Sequence, residues 1–475
     1  MLSREYSGSL TENGAASGAR WLLADLASRT LSGASLQSVA DPGERIVRLT
    51  VPVGRIDPFR WLSEQRNFPK VYWSGRGDRA GVAAVGAADL REASVSEGVG
   101  SLSELLASLP DLGDSGARYY GGSRFHPFGK PNEEWAAHSA YRFVLPRFEL
   151  HAGDTETTLV CNLVLPRDTD DTSQIVQEIE DLPLPEGAWG TSLPTPVLRE
   201  DSPDLLGWRE NVEWALRAFS EGRLGKVVLA RRAEFGFDRD LDPTLLLESL
   251  QAATPGCFHF YAEPEDGTAF LGASPELLFR RDGRSVESEA VAGTRPRGAS
   301  SADDEGLRED LLHSAKDLSE HSYVSTGIRE TLAPLCAELE IEDHVSDMKL
   351  ARGRHLRSKV RGTLLDGVTD AGLLDAMHPT PAVGGYPRTE ALEEIRALEP
   401  FDRGWYAGPV GWTGGEASEF AVGIRSGLAR GQTLALFSGA GIVAGSMPDE
   451  EWAEIEQKIG DFTGMFRLEQ GHAAH

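Results

Sequence analysis

The sequence predicts an α+β fold with large, mostly antiparallel sheets. Strand-like segments often follow one another across a turn, as at 257–263 and 268–273, instead of alternating regularly with helices. Of the 475 residues, 40% are hydrophobic and 25% are charged, which is an ordinary globular composition. No repeat with a period of about 20–50 residues is apparent. Disordered, collagen-like and solenoid classes are therefore excluded.

The first part of the chain mixes short strands with one helix. Apolar spacing predicts a helix at 19–31, and β-rich composition predicts strands at 45–53 and 157–165. An acidic and then Pro-rich stretch runs from Arg167 to Asp204, a composition typical of a connector. We therefore divide the chain into two halves, residues 1–200 and 205–470.

The second half is richer in clear signals. One long amphipathic helix is predicted over 301–332, and helical pattern is also predicted over 304–340. The other predicted helices lie at 206–222, 370–377, 389–397 and 449–467. The predicted strands lie at 226–237, 257–263, 268–273, 358–365, 418–429 and 433–443.

The net charge limits the classes of partner. Lys plus Arg total 47 and Asp plus Glu total 74, which gives −27 and makes nucleic acid an unsuitable partner. Only seven of the 47 basic residues are lysine, which fits either a high-salt cytoplasm or an Arg-rich coding bias. Three dispersed cysteines, no apolar run long enough for a membrane span and no targeting pattern predict a soluble cytoplasmic protein.

Two titratable residues occupy positions suited to proton transfer. Lys226 opens an apolar strand, where it either snorkels at a sheet edge or loses its proton and acts as a general base. Glu276 follows Gly272, Ser274 and Pro275 in a turn with apolar neighbours. It is either a carboxylate at a helix N-terminus or a general acid whose pKa is raised by burial.

Acidic side chains recur at helical spacing on two predicted helices. Asp317 and Glu320 project from one helix, while Glu451 and Glu454 share a face with Lys458 on the other. These faces are either solvated or meet across a pocket, where their oxygens would suit Mg²⁺. The Gly/Pro-rich segments 378–389 and 436–448 are either plain turns or walls that bring backbone N–H groups close to an anion.

Eight segments occur in the order found in chorismate-utilising enzymes, and they resemble isochorismate synthases most closely. The resemblance covers about residues 205–466, and VYWSGRGD, YYGGSRFHPFG and FVLPRFEL extend it more loosely towards the N-terminus. It implies one structural unit whose sheets and peripheral helices surround a central site. The segments are GKVVLARR, FLGASPELLFR, VAGTRPRG, LLHSAKDLSEHSYV, HPTPAVGGYPR, FDRGWYAGPVGW, EFAVGIRSGL and GAGIVAGSMPDEEWAEIEQK.

The resemblance also implies residue roles. Lys226 would activate water and Glu276 would protonate the departing C4 hydroxyl of chorismate. Glu320 and Glu454 would bind Mg²⁺, supported by Asp317 and Glu451. The residues implied to bind substrate or line the pocket are Gly293, Thr294, His355, His378, Ala382, Tyr406, Arg425, Gly439 and Lys458.

Within the family, Lys226 favours water over ammonia, because ammonia-using relatives typically carry Gln at this position. Ala292 stands where aminodeoxychorismate synthases have a nucleophilic lysine. The implied activity is therefore isochorismate synthesis, without a glutamine amidotransferase subunit and with a monomer favoured. Salicylate synthase and a catalytically silent binding protein remain the alternatives, and the pathway, menaquinone or siderophore, stays open.

Overall fold

Two antiparallel sheets joined by a shared strand form the centre of the molecule in a computed structural model of the chain. The structure describes residues 15–466 apart from 38–42, 78–80, 94–101, 111, 114, 127–131, 154–155, 186–191 and 266. Some predictions fall on residues outside this description. They are the absence of a targeting segment, which concerns residues 1–14, parts of two N-terminal motifs (residues 78 and 127–129), and the end of the last predicted helix (residue 467).

The strands are numbered in chain order. They are β1 (Arg45–Val53), β2 (Lys70–Ser74), β3 (Val82–Ala93), β4 (Tyr119–Ser123), β5 (Tyr141–Ala152), β6 (Thr157–Leu165), β7 (Pro196–Ser202), β8 (Lys226–Phe237), β9 (Phe258–Glu263), β10 (Ala269–Ser274), β11 (Leu277–Asp282), β12 (Ser285–Pro296), β13 (Cys336–Ile341), β14 (Ser346–Lys349), β15 (Gly353–Leu364), β16 (Gly385–Tyr386), β17 (Pro409–Thr413), β18 (Ala417–Val422), β19 (Ser426–Arg430) and β20 (Thr433–Val443).

The helices are numbered in the same way. They are α1 (Ala15–Gln37), α2 (Pro58–Glu64), α3 (Leu102–Ala107), α4 (Thr172–Asp181), α5 (Leu205–Ser220), α6 (Pro243–Ala253), α7 (Ser301–His313), α8 (Ala315–Leu332), α9 (Asp370–Met377), α10 (Arg388–Leu398) and α11 (Pro448–Thr463), with short 3₁₀ segments at Glu133–His138, Arg167–Thr169 and Ala333–Leu335. Within the described ranges, no helix is both long and apolar enough to cross a bilayer.

Strand β5 belongs to both sheets. One of its edges pairs with β3, while the other pairs with β4 near its start and with β6 near its end. The first sheet runs in the order β1, β6, β5, β3, β2, β9, β10, β19, β20, β8 and β7. The second continues from β5 through β4, β17, β18, β11, β12 and β15, whose far edge pairs with β13 and β14. Each sheet therefore contains strands from both halves of the chain, which meet at the β2–β9 pair in the first sheet and at the β4–β17 pair in the second.

The central strands of the first sheet are buried on both faces. Along β20, Leu436 points into an apolar cluster shared with α1, α2, α4, α6 and α11, whereas the next residue, Phe437, points into a second cluster shared with the other sheet. Phe260 and Tyr261 alternate in the same way on β9. The period-2 alternation of strand side chains thus supplies both cores, and the predicted α+β class with large antiparallel sheets is confirmed.

Most predicted elements match the structure, but the long helix over 301–332 is wrong. Ser314 is extended (φ −70°, ψ 114°), ends α7, and accepts a hydrogen bond through its Oγ from the N–H of Asp317 at 3.3 Å, which caps α8. The helical region also stops before 340. Pro334 cannot donate a helical hydrogen bond, and the chain enters β13 at Cys336.

The single strand predicted over 418–429 is also wrong, because it is divided into β18 and β19. The chain bends between them at Gly423–Arg425, and Arg425 adopts a left-handed conformation with φ +50°. Such backbone is uncommon for a residue with a side chain. The bend interrupts the ladder and turns Arg425 towards the cavity described next.

Candidate active site

One cavity collects most of the residues singled out from the sequence. It encloses about 670 Å³, including its mouth, and is lined by parts of β8, β12, β15, β20, α8 and α11 and by the bends before β11 and β19. The predicted residues that line it are Glu276, Gly293, Thr294, Glu320, His355, Ala382, Tyr406, Arg425, Gly439, Glu454 and Lys458.

Lys226 lies just behind the cavity wall at the start of β8. Its side chain is fully buried, and its Nζ is 3.0 Å from Oε1 of Glu320. That contact is electrostatic and lacks hydrogen-bond geometry, so the amine has no hydrogen-bond partner among the described residues. The backbone of Lys226 is fixed between β16 and β20, opposite Tyr386 and Val443. The backbone of Lys226 is therefore held in place by two neighbouring strands, and its amine is still able to form hydrogen bonds.

Glu276 occupies the turn between β10 and β11, so the alternative of a helix N-terminus does not apply here. Its side chain lines the cavity, and only 5% of the residue is exposed. Burial raises the pKa of Glu276 from 4.5 to about 8, although Lys226 pulls it in the opposite direction. A carboxyl group with this pKa keeps its proton at neutral pH and can donate it.

Glu320 on α8 and Glu454 on α11 line the same cavity, each beside a lysine. Nζ of Lys458 lies 2.7 Å from Oε1 of Glu454. Burial opposes ionisation of Glu454, but Lys458 outweighs it, and the pKa of Glu454 is lowered. Both carboxylates are therefore placed to act as anionic oxygen donors.

These two carboxylates also fit a hard divalent cation. Across the described part of the chain, no cluster of three or more His, Cys, Asp or Glu side chains forms a ready-made metal centre. Mg²⁺ commonly uses only one or two protein carboxylates and fills its other positions with water and an anionic ligand. A Cβ on Gly441 would lie 2.0 Å from Oε1 of Glu320, so glycine keeps the space beside this oxygen open.

Cationic and aromatic groups form another wall. Lys458 donates a hydrogen bond through Nζ to the carbonyl oxygen of Gly439 at 2.8 Å, and Arg425 also lines the cavity. Tyr406 stacks on Phe437 with ring centroids 5.3 Å apart, and burial raises the pKa of its hydroxyl. Neutral Tyr406 can donate a hydrogen bond, and the two cations favour an anionic occupant.

The wall formed by β12 and β15 is mostly neutral. Burial lowers the pKa of His355 to about 3, so its ring is uncharged near pH 7. His355 Nδ1 lies 3.0 Å from the carbonyl oxygen of Gly293 and 3.3 Å from Oγ1 of Thr294. Nε2 of His355 has no hydrogen-bond partner among the described residues. It can serve as a polar contact for an occupant of the cavity.

Three other predicted residues do not line the cavity. Asp317 pairs with Arg295 at 2.8 Å, and Glu451 pairs with Lys316, which ties α8 to α11. Nε2 of His378 is 3.1 Å from the carbonyl oxygen of Phe125. Asp317 also supports the cavity floor, since a Cβ on Gly293 would lie 3.0 Å from its Oδ1.

Gly441 and Ser438 also line the cavity, although neither was predicted individually from the sequence. Gly441 stands between two candidate groups, because an added Cβ would also lie 2.9 Å from Cε of Lys226. Ser438 Oγ is buried without a hydrogen-bond partner within the described chain. Only the glycine-rich character of segment 436–448 pointed to this wall.

Comparisons with known proteins show the family to which this chain is similar. The family model described as "Chorismate binding enzyme" matches residues 34–467. Isochorismate synthase 2, chloroplastic, from Arabidopsis thaliana is 35% identical over 458 residues, covering 88% of this chain and 80% of the relative. The salicylate biosynthesis isochorismate synthase of Pseudomonas aeruginosa is 37% identical over 360 residues, covering 75% of each chain.

A solved structure extends the likeness to the fold. The structure of MenF, the menaquinone-specific isochorismate synthase from Escherichia coli, superposes with a TM-score of 0.76 at 27% identity. The match covers 93% of this chain and 100% of that chain. With the family model matching nearly the whole sequence, the chain belongs to the chorismate-binding enzymes, as its eight ordered segments predicted.

Proposed function

We propose that this enzyme is an isochorismate synthase, which adds the oxygen of water at C2 of chorismate and releases the C4 hydroxyl as water. The observation that carries the proposal is the buried Glu276 carboxyl, which retains its proton near neutral pH, in the same small cavity that the Lys226 amine adjoins. Hydroxide is a poor leaving group, so the reaction needs an acid at C4 and a base at the attacking water.

In the proposed reaction, Lys226 takes a proton from the water that attacks C2. Glu276 gives its proton to the hydroxyl that leaves C4, and the ring double bonds shift between these positions. One water is consumed and one is released, so substrate and product are isomers. Proton transfer from Lys226 back to Glu276 restores both groups.

The charges of the cavity support a dianionic substrate. Arg425 and Lys458 are its lining cations, and the neutral Tyr406 hydroxyl adds a donor. Glu320 and Glu454 would hold Mg²⁺, which would neutralise substrate carboxylate charge when bound. Asp317 and Glu451 would support these two residues through the ion pairs that fix α8 and α11. We further propose that the protein works without an amidotransferase subunit, as a monomer in the cytoplasm.

The test is direct product analysis. Purified protein is incubated with chorismate and Mg²⁺, and the products are separated by chromatography. Isochorismate as the sole product supports the proposal, whereas salicylate with pyruvate indicates a salicylate synthase. Absence of turnover in both low and molar salt would indicate a binding protein and overturn the proposal.

A matched pair of variants tests the base. Lys226→Met retains the apolar stem but removes the amine, and we expect isochorismate formation to fall about 10²–10⁴-fold with chorismate binding largely retained. Lys349→Ala removes an exposed lysine that pairs with Asp304 away from the cavity and serves as the control. A Lys226→Met enzyme as fast as this control would exclude Lys226 as the base.

A further inference from the structure

Helix α11 presents a third charged residue towards the cavity wall. Glu454, Lys458 and Asp461 follow one another at i, i+4 and i+7, so they lie on one face of the helix. The first two line the cavity, and Asp461 is buried one turn further on. Oδ2 of Asp461 accepts a hydrogen bond from Nη1 of Arg425 at 2.8 Å. Asp461 therefore connects α11 to the cationic wall.

The backbone of Arg425 is held independently of this contact. Its carbonyl oxygen accepts a hydrogen bond from the N–H of Ala273 at 3.0 Å, and a Cβ on Gly272 would lie 2.9 Å from that oxygen. The left-handed bend at Arg425 thus rests on β10, two residues before the turn of Glu276. The long side chain beyond it still has several rotatable bonds, which the backbone cannot fix.

We propose that Asp461 is a positioning residue that holds the guanidinium of Arg425 in the orientation in which it receives a carboxylate of the substrate. The inference rests on the proposed function, in which that substrate is chorismate. An arginine offers five N–H donors in a planar fork. Engaging Nη1 with Asp461 fixes the plane of the fork and leaves its other donors for a carboxylate.

The position of Arg352 strengthens this interpretation. Nε of Arg352 lies 3.7 Å from Oδ1 of Asp461, and its Nη1 donates a hydrogen bond to the carbonyl oxygen of Gly460 at 2.7 Å. Oδ1 and Oδ2 of Asp461 thus face different arginines, which restricts rotation of the carboxylate. A fixed acceptor orders Arg425 before substrate arrives, and preorganisation of this kind reduces the cost of binding.

Two substitutions separate positioning from charge. Asp461→Ala removes the acceptor, and we expect KM for chorismate to rise about tenfold, as for loss of one charge-assisted hydrogen bond, while kcat changes less than about threefold. Asp461→Asn keeps an oxygen acceptor of the same shape, so KM stays within about threefold of wild type. Glu456→Ala is the control on the same helix as Asp461; it removes ion pairs with Arg199 on β7 and Arg231 on β8 and leaves KM unchanged.

A double-mutant cycle distinguishes positioning from a general structural effect. In an Arg425→Gln background, Asp461→Ala should change KM less than about twofold, because its only proposed route is through Arg425. An unchanged KM in Asp461→Ala, or a full tenfold increase in the Arg425→Gln background, would overturn the inference. Calorimetric Kd values for chorismate in the same variants keep the test valid even if the wild-type product is not isochorismate, which would refute only the proposed function.

Discussion

Glu276→Gln is expected to make the protein more stable while abolishing its activity. The buried carboxyl has a pKa of about 8 against 4.5 in its ordinary state, so between these values the folded chain holds a proton that the unfolded chain has released. Because the unfolded state binds fewer protons there, the free energy of unfolding falls as pH rises from about 4.5 to 8. Glutamine does not titrate, so the variant is free of this loss.

The size of the effect follows from the same two values. One pKa unit corresponds to about 1.36 kcal/mol, so the loss carried by Glu276 is about 1 kcal/mol at pH 5 and about 3 kcal/mol at pH 7. The stability advantage of Glu276→Gln should grow by that difference over this interval and level off above pH 8. Turnover is lost because the amide cannot donate the proton that the leaving hydroxyl needs.

The assay is denaturant unfolding of wild type and variant at pH 5, 6, 7 and 8, with product formation measured in parallel. Glu338→Gln makes the same Glu-to-Gln substitution on an exposed part of β13 and is the control. A stability difference between wild type and Glu276→Gln that is constant from pH 5 to pH 8 would refute a protonated Glu276. Undiminished turnover in the variant would refute its role as the acid.

Three further perturbations test other parts of the site. Glu320→Gln and Glu454→Gln should each weaken Mg²⁺-dependent activity, seen as a higher Mg²⁺ concentration at half-maximal rate, and unchanged values would contradict the metal assignment. Gly441→Ala would force Glu320 to move by about an ångström, so kcat/KM should fall on the order of 10²-fold. Gly460→Ala is the control and should be neutral, because its Cβ would meet no atom within 4 Å. Equal kcat/KM values for the two variants would contradict a tight fit around Gly441. Because the net charge is −27, the melting temperature should rise between about 0.05 M and 2 M KCl. An unchanged melting temperature would show that repulsion among the acidic side chains does not destabilise the fold.

The sequence predicted strands more accurately than their interruptions. The bounds of β1, β6 and β8 match the predicted 45–53, 157–165 and 226–237, because each is a run of β-branched and apolar residues. The break at Ser314 was not predicted, because apolar residues keep helical spacing on both sides of it. The bend at Arg425 depends on a single left-handed residue, for which the sequence has no glycine signal.

Eleven of the residues that the family resemblance implicated line one cavity, but their ion-pair partners could not be predicted from the sequence. Asp317 contacts Arg295 because α8 packs on β12, and Glu320 on the same helix contacts Lys226 at the start of β8. Spacing along one helix reveals which side chains share a face. It does not reveal which strand that face meets, so the role of Gly441 emerged only from the fold.

The sharing of β5 by both sheets has a consequence for how ligands enter and leave. Separating the two sheets would break hydrogen bonds of β5, because β5 pairs with β3 on one edge and with β4 and β6 on the other. Opening of the cavity must therefore come from wall segments outside the ladder, such as the loop that contains Ala382 and Val383. Slow exchange of the β5 amides with deuterated solvent, together with faster exchange in this loop, would support a rigid pair of sheets with a mobile wall segment.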